Sequence, residues 1–153
     1  MNVLEKSKIE TETHRDVVRQ YIHQVIDLLL DRAKYHDVSK LMTPEVETFA
    51  EYTPKLKNTV FGSDEYNNQL KEMHVALEHH YAHNRHHPEH FPNGISGMTI
   101  VDVLEMLVDW KASSLRQNTG NALIDIKRNQ ERFGYSNDLA DIFKNTIELF
   151  ENI

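Results

Sequence analysis

The chain has 153 residues, of which 39% are hydrophobic and 27% charged, and a formal net charge of −7. That length and balance describe one folded domain spanning residues 1–153 rather than a disordered chain. The negative charge argues against general nucleic-acid binding, although a bound metal ion can still draw a phosphate to an acidic protein. There is no cysteine, so disulfides and thiolate zinc sites are excluded and only nitrogen and oxygen ligands remain. The longest apolar run, Val25 to Leu30, is short and interrupted by Asp27, so no membrane span is expected. The N-terminal Met-Asn-Val-Leu-Glu-Lys lacks the apolar stretch of a signal peptide, and a cytoplasmic, reducing compartment is expected.

From about Ile9 to Leu30 apolar residues recur at helical spacing, with His14, Val18, Tyr21, Val25 and Leu28 on one face. This predicts a helix that turns His14 toward the core. A second helix over Asp31 to Leu41 carries His36-Asp37. Thr43-Pro44 predicts a new start with Pro44 in the first turn, and Thr53-Pro54 predicts an end near Tyr52. Phe61-Gly62-Ser63 reads as a turn, and Ser63 caps a long helix reaching about Tyr81. The four Pro and Gly residues between His83 and Gly97 predict an irregular segment. Thr99 and Asp102 have capping-box spacing before an amphipathic helix with Ile100, Val103, Leu104, Leu107 and Val108 as its apolar face. Gly120 allows a break. Further helices follow over Asn121 to Phe133, ended by Gly134, and from Ser136 onward, with Leu139, Ile142, Phe143, Ile147 and Phe150 as a buried stripe. Without strand-like alternation or internal repeats, the fold expected is an all-α, single-domain bundle.

His36-Asp37 alone is a dipeptide that chance often produces, and its plain reading is a surface pair. Its company argues otherwise. His14 precedes it on an apolar face, seven of the ten histidines lie between His74 and His90, and Asp109 sits on a later amphipathic helix. Adjacent helical residues point about 100° apart, so both His36 and Asp37 reach one ion only where their helix skirts the site. Within the tract His79 and His83 have i, i+4 spacing, as do His80 and Asn84. The candidate ligands are His14, His36, Asp37, His80, His86 and Asp109, with His79 and His87 close behind. The remaining histidines are read as packing or as groups that orient the ligands. Imidazole and carboxylate donors suit one or two divalent ions, among Mn, Fe, Ni, Co, Mg and Zn. Two ions bridged by Asp37 would suit in-line hydrolysis of a phosphate ester. Lys40 and Arg85 are the cations placed to neutralise phosphoryl charge, and with Asp37 they form the candidate catalytic set. Glu45, Glu78, Glu89 and Glu105 are candidate bases or partners that orient the ligands, with a structural role the plainer reading, and Trp110 reads as packing.

The ordered series His14, His36-Asp37, Asp109 resembles the HD-domain metal-dependent phosphohydrolase superfamily. The fragment His36-Asp37-Val38-Ser39-Lys40 is similar to the HD-x-x-K form of the HD-GYP branch, in which the lysine approaches the substrate phosphate. His79-His80, Gly94-Ile95-Ser96-Gly97 and Asp109 also follow that branch's order. The Gly-Tyr-Pro triplet is missing and the segment from Asp37 to His79 is shorter, so binding of cyclic dinucleotides is not implied. A closer likeness is to small HD-like proteins of bacteria and phages that share HD-x-SK, H-x-x-x-N-x-H-H and E-M-x-x-D-W segments. Here these are His36 to Lys40, His80 to His87 and Glu105 to Trp110, and the likeness runs from His14 to about Ala112.

The resemblance implies a helical metal site and a hydrolase acting on a nucleotide or another small phosphate ester. A di-iron oxygenase on the same fold is one alternative. A non-catalytic module that binds a nucleotide or inhibits a partner protein is the other. The helix from Ser136 could serve as a homodimer interface.

Overall fold

The computed structural model describes residues 2–60, 62–115 and 121–151. Phe61 and Gly120, expected at turns, lie outside the described residues. Among those described there are seven α-helices and no strand, so the fold is all-α. No helix among them is long and apolar enough to cross a membrane. The chain divides into two units, Met1–Tyr35 and His36–Ile153.

The first unit is a single helix, α1, Val3–Tyr35. The expected helix over Ile9 to Leu30 and its successor over Asp31 to Leu41 are thus corrected. Asp31-Arg32-Ala33-Lys34-Tyr35 holds no glycine or proline, and Ala, Arg and Lys are good helix formers, so nothing local stops the helix at Leu30. The helix buries no residue, and His14 is exposed.

The second unit opens with His36 and then Asp37, whose φ of 56° is left-handed. Few residues other than glycine adopt that conformation, and it ends helical propagation. A short 3-10 turn, Val38–Leu41, follows in place of the expected helix. Helix α2 spans Glu45–Lys57 and runs through Pro54, past the end expected at Tyr52. Proline there removes one backbone donor. The exposed last turn is held instead by side chains: Lys55 Nζ on Glu51 at 2.7 Å and Asn58 Nδ2 donating to the Pro54 carbonyl.

Ser63 caps the next helix by accepting from the Tyr66 amide, as its position implies. The long helix expected there is two: α3, Asp64–Glu72, and α4, His74–His83, divided at the buried Met73. At the break His74 Nδ1 meets the Lys71 carbonyl at 2.9 Å, a side-chain substitute for a helical donor. From His83 to Gly97 the chain is irregular, as proline and glycine content predicts, with 3-10 turns at Pro88–His90 and Gly94–Gly97. At Gly97 an added Cβ would meet Phe91 Cβ at 2.9 Å, so that turn needs glycine.

Helix α5, Ile100–Ser114, begins with the full capping box of Thr99 and Asp102. Its buried face is Val101, Asp102, Val103, Met106 and Leu107, whereas Ile100 and Val108 are exposed. Helix α6, Ala122–Phe133, is capped by the Asn121 side chain and ended by Gly134 at φ 68°. Helix α7 spans Asn137–Glu151, with the Leu139 amide on Ser136 Oγ. The core joins α5, α6 and α7 through Val103, Met106, Leu107, Ala122, Ile126, Tyr135, Ala140, Phe143 and Ile147. Ile142 is exposed rather than part of the stripe. Trp110 packs against this core, edge-on to Phe143 at 6.0 Å and stacked on Phe133 at 6.3 Å. The core anchors α5, and α5 carries two of the site's carboxylates.

Candidate functional site

The left-handed turn at Asp37 explains how two adjacent residues serve one site. A continuing helix would aim His36 and Asp37 in different directions. The left-handed backbone at Asp37 instead goes with His36 Nε2 lying 3.5 Å from Asp37 Oδ2 and 3.6 Å from Asp109 Oδ1. Asp37 Oδ1 faces the other way, 3.4 Å from His80 Nε2 and 3.5 Å from His86 Nε2. His87 Nε2 closes the group at 2.8 Å from His80 Nε2. Asp37 therefore stands between two donor groups, one oxygen toward each. Asp37, His80, His86 and His87 offer four donor atoms within 4.8 Å of one another, as do His36, Asp37 and Asp109 with three.

The hydrogen bonds leave this cluster incomplete in one informative respect. Asp37 Oδ1 and both ring nitrogens of His86 are buried without a hydrogen-bond partner. His86 is 1% exposed. Its Nδ1 lies 3.3 Å from Glu105 Oε1, close enough for an ion pair but not aligned as a hydrogen bond. Each buried polar atom left unsatisfied costs about 1–3 kcal/mol. Donors around a single ion, each about 2.0–2.2 Å from it, lie roughly 3–3.5 Å apart, the spacing of Asp37 Oδ1 from its two imidazoles. The residues thus fit a divalent cation by chemistry and by distance.

Electrostatics point the same way. Asp109 and Glu105 beside the ring raise the His36 pKa from 6.5 to about 10, against the lowering effect of burial. Burial alone would raise the Asp37 carboxyl. The Lys40 ammonium, 2.6 Å from Oδ2, together with His36 and His80, holds it below the usual range instead. Burial would likewise raise Asp109, and His36 and His86 bring it down. His87 is pushed down to about 3, by burial first and then by His86 and His80, and so stays neutral. His80 is lowered by burial and by Lys40.

A prediction follows for the metal-free protein. His36 is raised on folding, so its contribution to stability is whole below about pH 6.5 and is lost as pH rises toward 10. Urea unfolding in EDTA at pH 6, 8 and 10 should therefore show a stability loss with rising pH that is smaller in His36→Gln. An equal loss in both proteins would contradict it.

Of the residues expected from sequence, the structure brings together His36, Asp37, His80, His86 and Asp109, with Lys40 beside them. His14 belongs to α1, the other unit. Arg85 does not face the donors. It makes a two-pronged pair with Asp102, Nε and Nη2 each at 3.0 Å, and stacks over Phe91. His87 joins the cluster, and Glu105 reaches it from α5 by bonding His36 Nδ1 at 3.0 Å. The i, i+4 spacing of Glu105 and Asp109 on one helix was the signal for Glu105. Glu45, fully buried, contacts His79 and His80 from α2. No local pattern marks a carboxylate that meets its partners across more than thirty residues of chain.

Fold and site together define an all-α protein with a buried imidazole–carboxylate cluster at the meeting of the Asp37 turn, α4, the His86-His87 loop and α5. Over residues 4–153 the chain matches DUF5662, a family of unknown function, and it belongs to that family. No curated protein and no solved structure gives a significant match.

Proposed function

We propose that this protein is a metal-dependent phosphohydrolase acting on a nucleotide or another small phosphate ester. The observation that carries the reading is the convergence of His36, Asp37, His80, His86, His87 and Asp109, with Asp37 Oδ1 and both His86 nitrogens buried without a hydrogen-bond partner at its centre. Asp37, His80, His86 and His87 would hold one ion. His36, Asp109 and the second Asp37 oxygen offer a further place on the other side. The sequence order His36-Asp37 to Asp109, similar to that of HD phosphohydrolases, supports a hydrolytic rather than a purely structural use. When bound, such an ion supplies Lewis acidity and a water acidified toward neutral pH.

The chain's own groups supply the rest. Lys40, held at Asp37 and partly exposed, is the cation available to phosphoryl oxygens as charge grows on them. Arg85 is committed to Asp102 and is not assigned that role. Asp37 positions Lys40 as well as offering donor atoms. His87 is held neutral through the working range, so no imidazolium opposes a cation there.

The test is phosphate release from a panel of nucleoside mono-, di- and triphosphates with Mn, Co, Ni or Mg. Wild type should turn over at least one substrate. Lys40→Ala should lose roughly 10²-fold or more in kcat while retaining its metal, the usual cost of deleting one group that stabilises transition-state charge. Absence of turnover with every metal and nucleotide, in protein shown to carry metal, would leave a binding module rather than an enzyme.

A further inference from the structure

The donor cluster rests on a layer of hydrogen bonds whose direction can be worked out atom by atom. Asn84 Nδ2 lies 2.7 Å from Ser39 Oγ, 2.8 Å from the His80 carbonyl and 3.0 Å from His80 Nδ1, and its two hydrogens go to the two nearer oxygens. Ser39 Oγ, having accepted from Asn84, donates to Glu45 Oε2 at 3.0 Å. Glu45 is buried without exposure and lies in contact with two rings as well, His80 Nδ1 at 2.8 Å on Oε2 and His79 Nδ1 at 2.7 Å on Oε1. A carboxylate only accepts, so both rings must present Nδ1–H to it. A neutral imidazole carries one proton. Once Nδ1 of His80 has it, Nε2 is a bare lone pair. That atom is the one 3.4 Å from Asp37 Oδ1, and at 2.8 Å it accepts from His87 Nε2, which carries the hydrogen in the metal-free protein.

We propose that Glu45 is the positioning residue of the centre. By accepting Nδ1–H from His80 it fixes that ring's tautomer and aims Nε2 at the shared donor position, and by holding His79 and Ser39 it keeps its own carboxylate from turning away. This deepens the metal-site reading and rests on it. Partners of this kind, one shell out from the ligands, orient ligating imidazoles and typically cost 10–100-fold in metal affinity when removed.

Two measurements decide the matter. In EDTA-treated wild-type protein at pH 8, long-range ¹H–¹⁵N correlation of the histidine rings should show His80 protonated on Nδ1 and bare on Nε2. An Nε2–H tautomer would overturn the proposal without any substitution. The second measurement titrates Co(II), followed by its visible absorption, into wild type, Glu45→Gln and His86→Ala. Three donors converge on Glu45, and glutamine is uncharged and offers one acceptor oxygen where the carboxylate offers two, so the partners of one oxygen lose their acceptor. Glu45→Gln should bind Co(II) about 10–100-fold more weakly with unchanged far-UV circular dichroism. Wild-type affinity in Glu45→Gln, with binding lost in His86→Ala, would overturn the role of Glu45 and leave the metal site standing. Failure of wild type to bind Co(II) would instead remove the metal reading, and with it this role for Glu45. Should Glu45→Gln not fold, Glu45→Asp, which keeps the charge but shortens the reach, and the wild-type tautomer carry the decision.

Discussion

Asp37→Asn and His86→Ala are each expected to strip the protein of divalent metal. Wild type, purified without chelator, should carry about one to two ions per chain by elemental analysis. Either variant should bind at least about 100-fold more weakly, since even partners outside the ligand shell are worth 10–100-fold. The two substitutions act differently on the metal-free protein. His86→Ala removes two buried nitrogens that lack hydrogen-bond partners and relieves a desolvation cost, while opening a space in a tightly packed place. Asp37→Asn keeps the shape but gives up the charge that pairs with Lys40. Metal at a hundred times the wild-type Kd should stabilise wild type by about 2.7 kcal/mol and either variant by no more than about 0.4 kcal/mol. A wild type without metal, unaffected by added Mn, Co, Ni, Zn or Fe, would sink the metal centre.

Asp102→Ala is expected to destabilise the fold by about 2–4 kcal/mol, far more than a typical surface change. Asp102 is fully buried and receives the Arg85 guanidinium, the Thr99 amide and the Thr99 hydroxyl. Burial would raise its carboxyl, and these donors, Arg85 foremost, bring it below the usual range. The substitution removes a helix cap, worth about 1 kcal/mol, and a charge-assisted pair, worth about 1.5–3 kcal/mol, and leaves a partly exposed guanidinium that water can solvate. Arg85→Ala should cost a comparable amount, about 1.5–3 kcal/mol, because it leaves the fully buried Asp102 carboxylate with only the Thr99 donors. Urea melts measure both. Arg85→Ala should also keep its metal and its turnover per folded molecule. A large loss of kcat at unchanged stability would restore Arg85 to the catalytic set.

Much of the helical order was legible because its causes are local. The capping box at Thr99, the Ser63 cap, the stop at Gly134 and the irregular stretch from His83 to Gly97 all follow from short-range chemistry, and each stands where the residues indicate. Boundaries failed where no local signal exists or where one was overridden. The helix runs on past Leu30 because nothing stops it before the Asp37 turn, and α2 passes through Pro54 because exposed side chains make good the lost donor. The division at Met73 carries no glycine or proline to mark it.

The sequence by itself determined the chemistry of this protein: nitrogen and oxygen donors without thiolate, an all-helical frame, and His36-Asp37, the histidine tract and Asp109 as the residues to watch. Only the tertiary structure decided which histidines converge. His80, His86 and His87 meet Asp37 because a left-handed residue turns the chain and an irregular loop returns it, and neither event has a periodicity to read. It also decided that Arg85 serves Asp102 and that Glu45 and Glu105 hold the Nδ1 faces of the rings. Residue type states what an atom can donate or accept. Which partner it finds depends on contacts between segments far apart in the chain, and those are set by the packing of the whole unit.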